Sequence, residues 1–254
     1  MAKKRKRITV AGCLVREVVY TPPSIGDSAA ARGAKRKAST EAQTRMNAKH
    51  SWQKLADMLA ANFRKGDLVV VLTYDDSHLP FVHRTAMNCL KEFRKAVNAA
   101  RAAAGKPKLI MFWNYENDHG DKRMHHHTVI NSTGDDYETL RACWPYGEVL
   151  IEPLRVDKEK NYITLAKYMC KEKPDKLGQR QWSYTRGAAK PETESFWVEA
   201  DTTVQAPKGS LILESFSRRD AYGATVQYVE YLAPGWEQGR AARARRRRKR
   251  RRVA

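Results

Sequence analysis

The spacing of apolar positions changes several times along the chain, and each change marks an expected element. Residues 8–20 read as a strand, and 21–34, with Pro22, Pro23, Gly26 and Gly33, as a loop. Within 38–64, Trp52, Leu55, Leu59 and Phe63 recur at helical spacing, a stripe whose ordinary use is core packing. Residues 67–74, DLVVVLTY, are apolar on both faces, which suits a central strand covered on both sides. A helix is expected over 80–104, where Val82, Ala86, Leu90, Phe93, Val97 and Ala100 share one stripe before Gly105 and Pro107 stop it. Strands over 108–116 and 124–131 flank a polar turn around Asp118 to Asp121 and read as a hairpin. A short helix (135–144), a strand (147–153) and a helix (161–172) ending near Pro174 come next. Residues 179–233 are less regular, with strands expected over 211–216 and 225–232 around a turn at Gly223.

From Asp67 the order is strand, helix, strand, strand, helix, strand, the split βαβ or ferredoxin-like pattern of an α+β protein. It predicts a central antiparallel sheet with helices on one face and the other face free for ligand. The 124–131 strand lies inside this sheet, beside both the 67–74 strand and its own hairpin partner. The expected organisation is a basic arm over 1–7, a main domain over 8–176, an accessory β region over 177–239 and an Arg-rich disordered tail over 240–254.

Charge sharpens this division. The formal net charge is +20, of which residues 240–254 carry ten positive charges and no acid and residues 3–7 five more, leaving +5 on 8–239. Both ends are therefore expected to attract polyanions, nucleic acid before anionic membrane, with Arg245, Arg246, Arg247, Arg248, Lys249 and Arg250 at the centre of the tail. Cys13, Cys89, Cys143 and Cys170 show no CxxC spacing, which points to free thiols in a reducing cytosol and away from zinc fingers or a disulfide framework. The basic start before ITVAGCLV has too short an apolar run and no small-residue cleavage site for a signal peptide, and no stretch reaches membrane-spanning length.

The candidate chemistry lies in FWNYENDHGDKRMHHHTVI, residues 112–130. Successive side chains of a strand point to opposite faces, so His125 and His127 project together and His126 the other way. Glu116 can come level with His125 across the turn. Two imidazoles and a carboxylate can hold a divalent metal and leave positions open to substrate. Asp118, His119 and Asp121 compete with Glu116 for the third place. In the 161–172 helix, Tyr168 and Lys171 lie three apart and share a face, so phenol and ammonium can address one phosphate.

These pieces together resemble the HUH endonucleases, and among them the replication initiators of small rolling-circle plasmids and bacteriophages. VVVLTYDD at 69–76 is similar to the family's first motif, HHHTVI at 125–130 to its His-hydrophobic-His motif, and AKYMCKE at 166–172 to its Tyr motif. QWSYTRG, with KP at 190–191 after it, resembles more weakly the segment beyond the Tyr motif in some plasmid and phage members. The chain departs from the pattern at His126, usually hydrophobic, and at Thr164, where two-nucleophile members carry a second tyrosine; Tyr162 falls on a different face.

The resemblance implies a single-tyrosine enzyme that nicks single-stranded origin DNA with Mg2+ or Mn2+ held by His125, His127 and Glu116. Tyr168 would form a 5′-phosphotyrosyl bond and free a 3′ hydroxyl for a polymerase. Lys171 would assist the phenolate or hold the phosphate, with Thr73 and Tyr74 as supports. It also implies the cytoplasm of a bacterial host. No GxxxxGK[ST] occurs, so strand separation would fall to a host helicase. The competing readings are a non-catalytic nucleic-acid binder on a ferredoxin-like sheet, a relaxase or single-strand transposase, and a packaging protein acting through its arms. RNA-recognition sheets place stacking aromatics where this chain has RMHHHTVIN.

Overall fold

The computed structural model describes residues 3–22, 41–116, 124–156, 161–171, 181–219 and 224–238, and for 41–46 the backbone alone. The elements are β1 (Lys3–Ala11), β2 (Leu14–Tyr20), α1 (Glu41–Asn62), β3 (Leu68–Thr73), α2 (His83–Ala103), β4 (Met111–Glu116), β5 (His125–Ile130), α3 (Tyr137–Ala142), β6 (Val149–Pro153), α4 (Ile163–Met169), β7 (Ser183–Tyr184), β8 (Glu192–Glu199), β9 (Leu211–Arg219) and β10 (Thr225–Leu232). They fall into two compact units, Ser51–Ala189 and the combination of Met1–His50 with Lys190–Ala254. Each unit carries one five-stranded antiparallel sheet.

The sheet of the first unit runs β6-β3-β5-β4-β7, the strand order of a split βαβ with β7 added at one edge. β5 is interior, paired to β3 through Thr73 opposite His125 and to β4 through Glu116 opposite His125. The crossover helix α2 buries Ala86, Leu90, Phe93 and Val97 against Leu68, Val70, Leu72, Met111 and Ile130, with Leu140 of α3 and Trp144 completing this layer.

The other face is only partly open, because α1 and α4 pack on it. Leu55, Leu59, Tyr162, Ala166 and Met169 meet Phe112 and Val129 there. The expectation of helices on one face therefore holds for the two crossover helices, while a second pair covers part of the face expected to be free. The cause is in the strands: Phe112 and Val129 are apolar on that side too, and each such side chain gains roughly 1.5–3 kcal/mol from burial. The Lys167 ammonium lies 4.9 Å over the Trp52 ring and fixes α4 to α1.

Polar contacts pin the sheet at both ends of the β3–β5 pair. At one end Arg101, buried, donates through Nη1 to Asn131 Oδ1 at 2.9 Å and through Nη2 to the Asn131 carbonyl and to Asp136 Oδ1 at 2.7 and 2.8 Å. At the other, Trp144 Nε1 donates to the Thr73 carbonyl at 2.7 Å and Asp75 N to the Tyr146 carbonyl at 2.9 Å. Gly147 permits this approach, since a Cβ there would lie 2.5 Å from Thr73 O and 2.9 Å from Asp75 N.

The second unit corrects the reading of the N terminus. Residues 8–20 form a hairpin: Ala11 pairs with Leu14 and Gly12 turns at φ +62°, a conformation that glycine adopts without steric cost. Residues 3–7 continue β1 instead of forming an arm, because Lys3 to Arg7 pair with β8 and, from Arg5 on, with β2. The sheet order is β8-β1-β2-β10-β9, so the first strands join the C-terminal ones and not the histidine sheet. The turn at Gly223 and the tail, Arg245, Arg246, Arg247, Arg248, Lys249 and Arg250 included, lie outside the described residues.

Candidate active site

Strand alternation divides the three histidines as the sequence predicts. His126, fully buried, faces α2 and sits 2.8 Å through Nε2 from the Tyr74 hydroxyl, which also donates to the Ala86 carbonyl at 3.3 Å. Burial, before the neighbouring His83, His125 and His127, pushes its pKa down to about 3, so this imidazole is neutral. Tyr74 is accordingly a buried support, and Thr73 bridges to β6 through its hydroxyl and Glu148.

On the opposite face Glu116, His125 and His127 converge. Glu116 Oε2 lies 2.8 Å from His127 Nε2 and 3.2 Å from His125 Nε2, and the two Nε2 atoms are 2.9 Å apart. Their ligand atoms all fall within 4.8 Å of one another, the arrangement of a metal site among the described residues. Burial opposes ionisation of Glu116, yet the Lys171 ammonium, His127 and His125 hold its carboxyl down at about 2. Burial likewise lowers the His127 pKa against the pull of Glu116, which keeps the ring available as a neutral ligand. Two imidazoles and an ionised carboxylate, with no fourth metal-ligating side chain in the cluster among the described residues, could hold a divalent cation and leave coordination positions open. Asp118, His119 and Asp121, the competitors for the third place, lie outside the described residues.

Helix α4 brings the tyrosine to this cluster. Asn161 Oδ1 accepts the Ile163 amide at 2.9 Å and starts the turn, and buried Ala166 and Met169 fix which side faces the core. Tyr168 is thereby left 45% exposed with its hydroxyl 3.2 Å from His127 Nε2. Lys171, just beyond the helix end, places its ammonium 4.4 Å over the Tyr168 ring and 2.8 Å from Glu116 Oε1. The lysine-to-glutamate bridge is a contact the sequence reading missed; Y-x-x-K spacing paired Lys171 with the tyrosine but gave no distance to the hairpin. Gly147 was likewise missed as a site support, although its place in WPYGE, just before a strand, marks a close backbone approach. Tyr162 is buried with its hydroxyl on the Phe63 carbonyl, and Cys170 is buried, which pushes its thiol up to about 11.

The five residues of this cluster all lie within one matched segment. Residues 67–173 match the family described as replication-associated protein ORF2. The match covers about two fifths of the chain, from the start of the split βαβ sheet to the end of the tyrosine helix, and ties that part to replication. Searches of curated proteins and of solved structures return no match. No helix among the described residues is long and apolar enough to cross a membrane, and all four cysteines are free thiols.

Proposed function

We propose that the chain is a replication initiator of the HUH endonuclease type, which nicks and rejoins single-stranded origin DNA through Tyr168. The observation that carries this reading is the Tyr168 hydroxyl 3.2 Å from His127, itself part of the Glu116–His125–His127 cluster, inside a segment matched to a replication-associated family. A Mn2+ or Mg2+ held by Glu116, His125 and His127 would supply positive charge for the scissile phosphate and the departing oxygen.

The residues do the rest. Tyr168 Oη attacks phosphorus, the Oη–P bond forms as the P–O3′ bond breaks, and the phenol proton leaves as the 3′ oxygen takes one up. A neutral phenol is a weak nucleophile, and the Lys171 ammonium against the Tyr168 ring would offset the cost of forming phenolate. Lys171 also holds Glu116 ionised and pointed at the histidines. The phosphotyrosyl bond conserves the diester's energy, and the reverse attack by a 3′ hydroxyl reseals the strand without ATP. A host polymerase extends that hydroxyl and a host helicase opens the duplex, in the cytoplasm of a bacterial cell. The basic tail, Arg245 to Arg250 at its centre, adds sequence-independent phosphate contacts.

The test is cleavage of labelled single-stranded origin DNA by the His125→Ala/His127→Ala double variant across a Mn2+ titration. Cleavage falls to background at every concentration, whereas retained metal-dependent cutting places the metal elsewhere.

A further inference from the structure

Among the described residues, the sheet of the second unit has one face covered and the other open. Val15, Val229 and Tyr231 meet Val204 and Ala206 on the covered side, where Val204 N also donates to Gln227 Oε1. On the other side the strand registers line up Trp197, Arg5, Tyr20 and Arg218 in one row, and Arg7, Tyr228 and Phe216 in the next row of the same face. The three remaining positions of these rows are Ser195, Val18 and Val226, so three arginines and four aromatic rings stand together with no carboxylate among them. Trp197 is 54% exposed, and Arg7, Val226 and Arg218 are exposed as well.

The side chains are arranged as cation and ring pairs. Arg5 lies 5.2 Å over the Trp197 ring and donates to Ser195 Oγ at 2.8 Å. Arg218 lies 4.9 Å over Phe216, which stacks on Tyr228 at 5.0 Å and 20° between planes. The row beyond holds Glu230 opposite Glu214, and Glu230 is tied to Arg16 Nε at 2.8 Å, which masks its charge. Four strand spacings of about 4.8 Å separate Trp197 from Arg218, roughly 19 Å.

We propose that this open face of the β8-β1-β2-β10-β9 sheet is a second binding surface for single-stranded DNA, distinct from the tyrosine site, on which unpaired bases stack against Trp197 and the Phe216–Tyr228 pair while Arg5, Arg7 and Arg218 neutralise phosphates. Stacking platforms interleaved with cations bind single strands with little sequence preference. Duplex DNA, with its bases already stacked, gains nothing from the rings. The surface accounts for why the arginines and lysines of residues 3–7 are built into a strand: alternation puts Arg5 and Arg7 on the ring-bearing side. The proposal requires no chemistry at Tyr168 and goes beyond the nicking reading.

The test is anisotropy of a fluorescein-labelled 20-nucleotide oligo-dT with the full chain, in EDTA to suppress cleavage and at 0.3 M NaCl to screen the tail. Trp197→Ala and Phe216→Ala each weaken binding by about tenfold or more, the loss of one stacked base, and Trp197→Phe recovers most of it. Binding within twofold of wild type for both alanine variants, with unchanged circular dichroism, overturns the proposal, as does equal affinity for a duplex of the same length. Tighter binding of oligo-U overturns the choice of DNA. Should Phe216→Ala unfold, photocrosslinking of wild type to 5-iododeoxyuridine DNA decides: adducts on Trp197, Tyr20, Tyr228 or Phe216 support the surface, and adducts confined to other residues contradict it. Covalent tyrosyl adduct formation, measured separately, fails or succeeds independently.

Discussion

His126 makes the alternation of the histidine strand measurable. Its ring is fully buried, Nδ1 has no hydrogen-bond partner, and Nε2 meets a Tyr74 hydroxyl that donates onward to Ala86. The folded protein thus resists protonating it, with a pKa near 3 against about 6.5 in the unfolded chain. Below pH 6.5 the unfolded chain binds a proton that the folded one does not, so stability falls as pH falls until the folded pKa is reached. Two pH units below 6.5, the loss from this one side chain is on the order of 2–3 kcal/mol. His126→Leu removes it while leaving Tyr74 its contact with Ala86. Glu116 and His127, whose pKa values are also depressed, lower acid stability in both proteins and cancel in the comparison. Urea unfolding at pH 7.5 and 4.5 should show wild type losing roughly 2–3 kcal/mol more than the variant. Equal losses would sink the assignment of His126 to the helix-covered face, and with it the pairing of His125 and His127.

Three further outcomes rest on particular contacts. Arg101→Met leaves Asp136 buried without its cation and should cost about 3–5 kcal/mol in urea unfolding; a loss under about 1 kcal/mol contradicts the anchoring role of that pair. Gly147→Ala drives a methyl into the backbone at Thr73 and Asp75, expected to cost about 1–3 kcal/mol and to slow cleavage, because Thr73 faces His125 across the register; an unchanged melting temperature refutes the clash. Deleting residues 240–254 should reduce the salt slope of single-strand binding by about 0.7 for every phosphate that the tail no longer neutralises while leaving cleavage intact on saturating DNA, and abolished cleavage there would give the tail a part in the chemistry.

The histidine sheet was legible because its signals are local. Apolar period alone separated DLVVVLTY from the α2 stripe, and a two-residue alternation sorted His125 and His127 from His126, with the register then setting Glu116 opposite His125. What escaped were pairings between distant residues. β1 reads as a basic arm because its cations dominate five consecutive positions, yet its partners lie in β2 and, about 190 residues away, in β8, and no local pattern carries that separation. The covering of the site face by α1 was hidden similarly: Leu55 and Leu59 announce a buried stripe without saying which sheet surface receives it. Lys171 could be placed beside Tyr168 by helical spacing, but its reach to Glu116 depends on how α4 docks across the sheet.

The most direct measurement is a denaturing gel of the purified chain incubated with labelled single-stranded DNA tiled across its replicon, with Mn2+, Mg2+ or EDTA, beside Tyr168→Phe. The account predicts a metal-dependent protein–DNA adduct that survives denaturation and vanishes in Tyr168→Phe, whose DNA affinity stays close to wild type. An adduct of unchanged yield in Tyr168→Phe, or tight binding with no adduct under any metal, contradicts it.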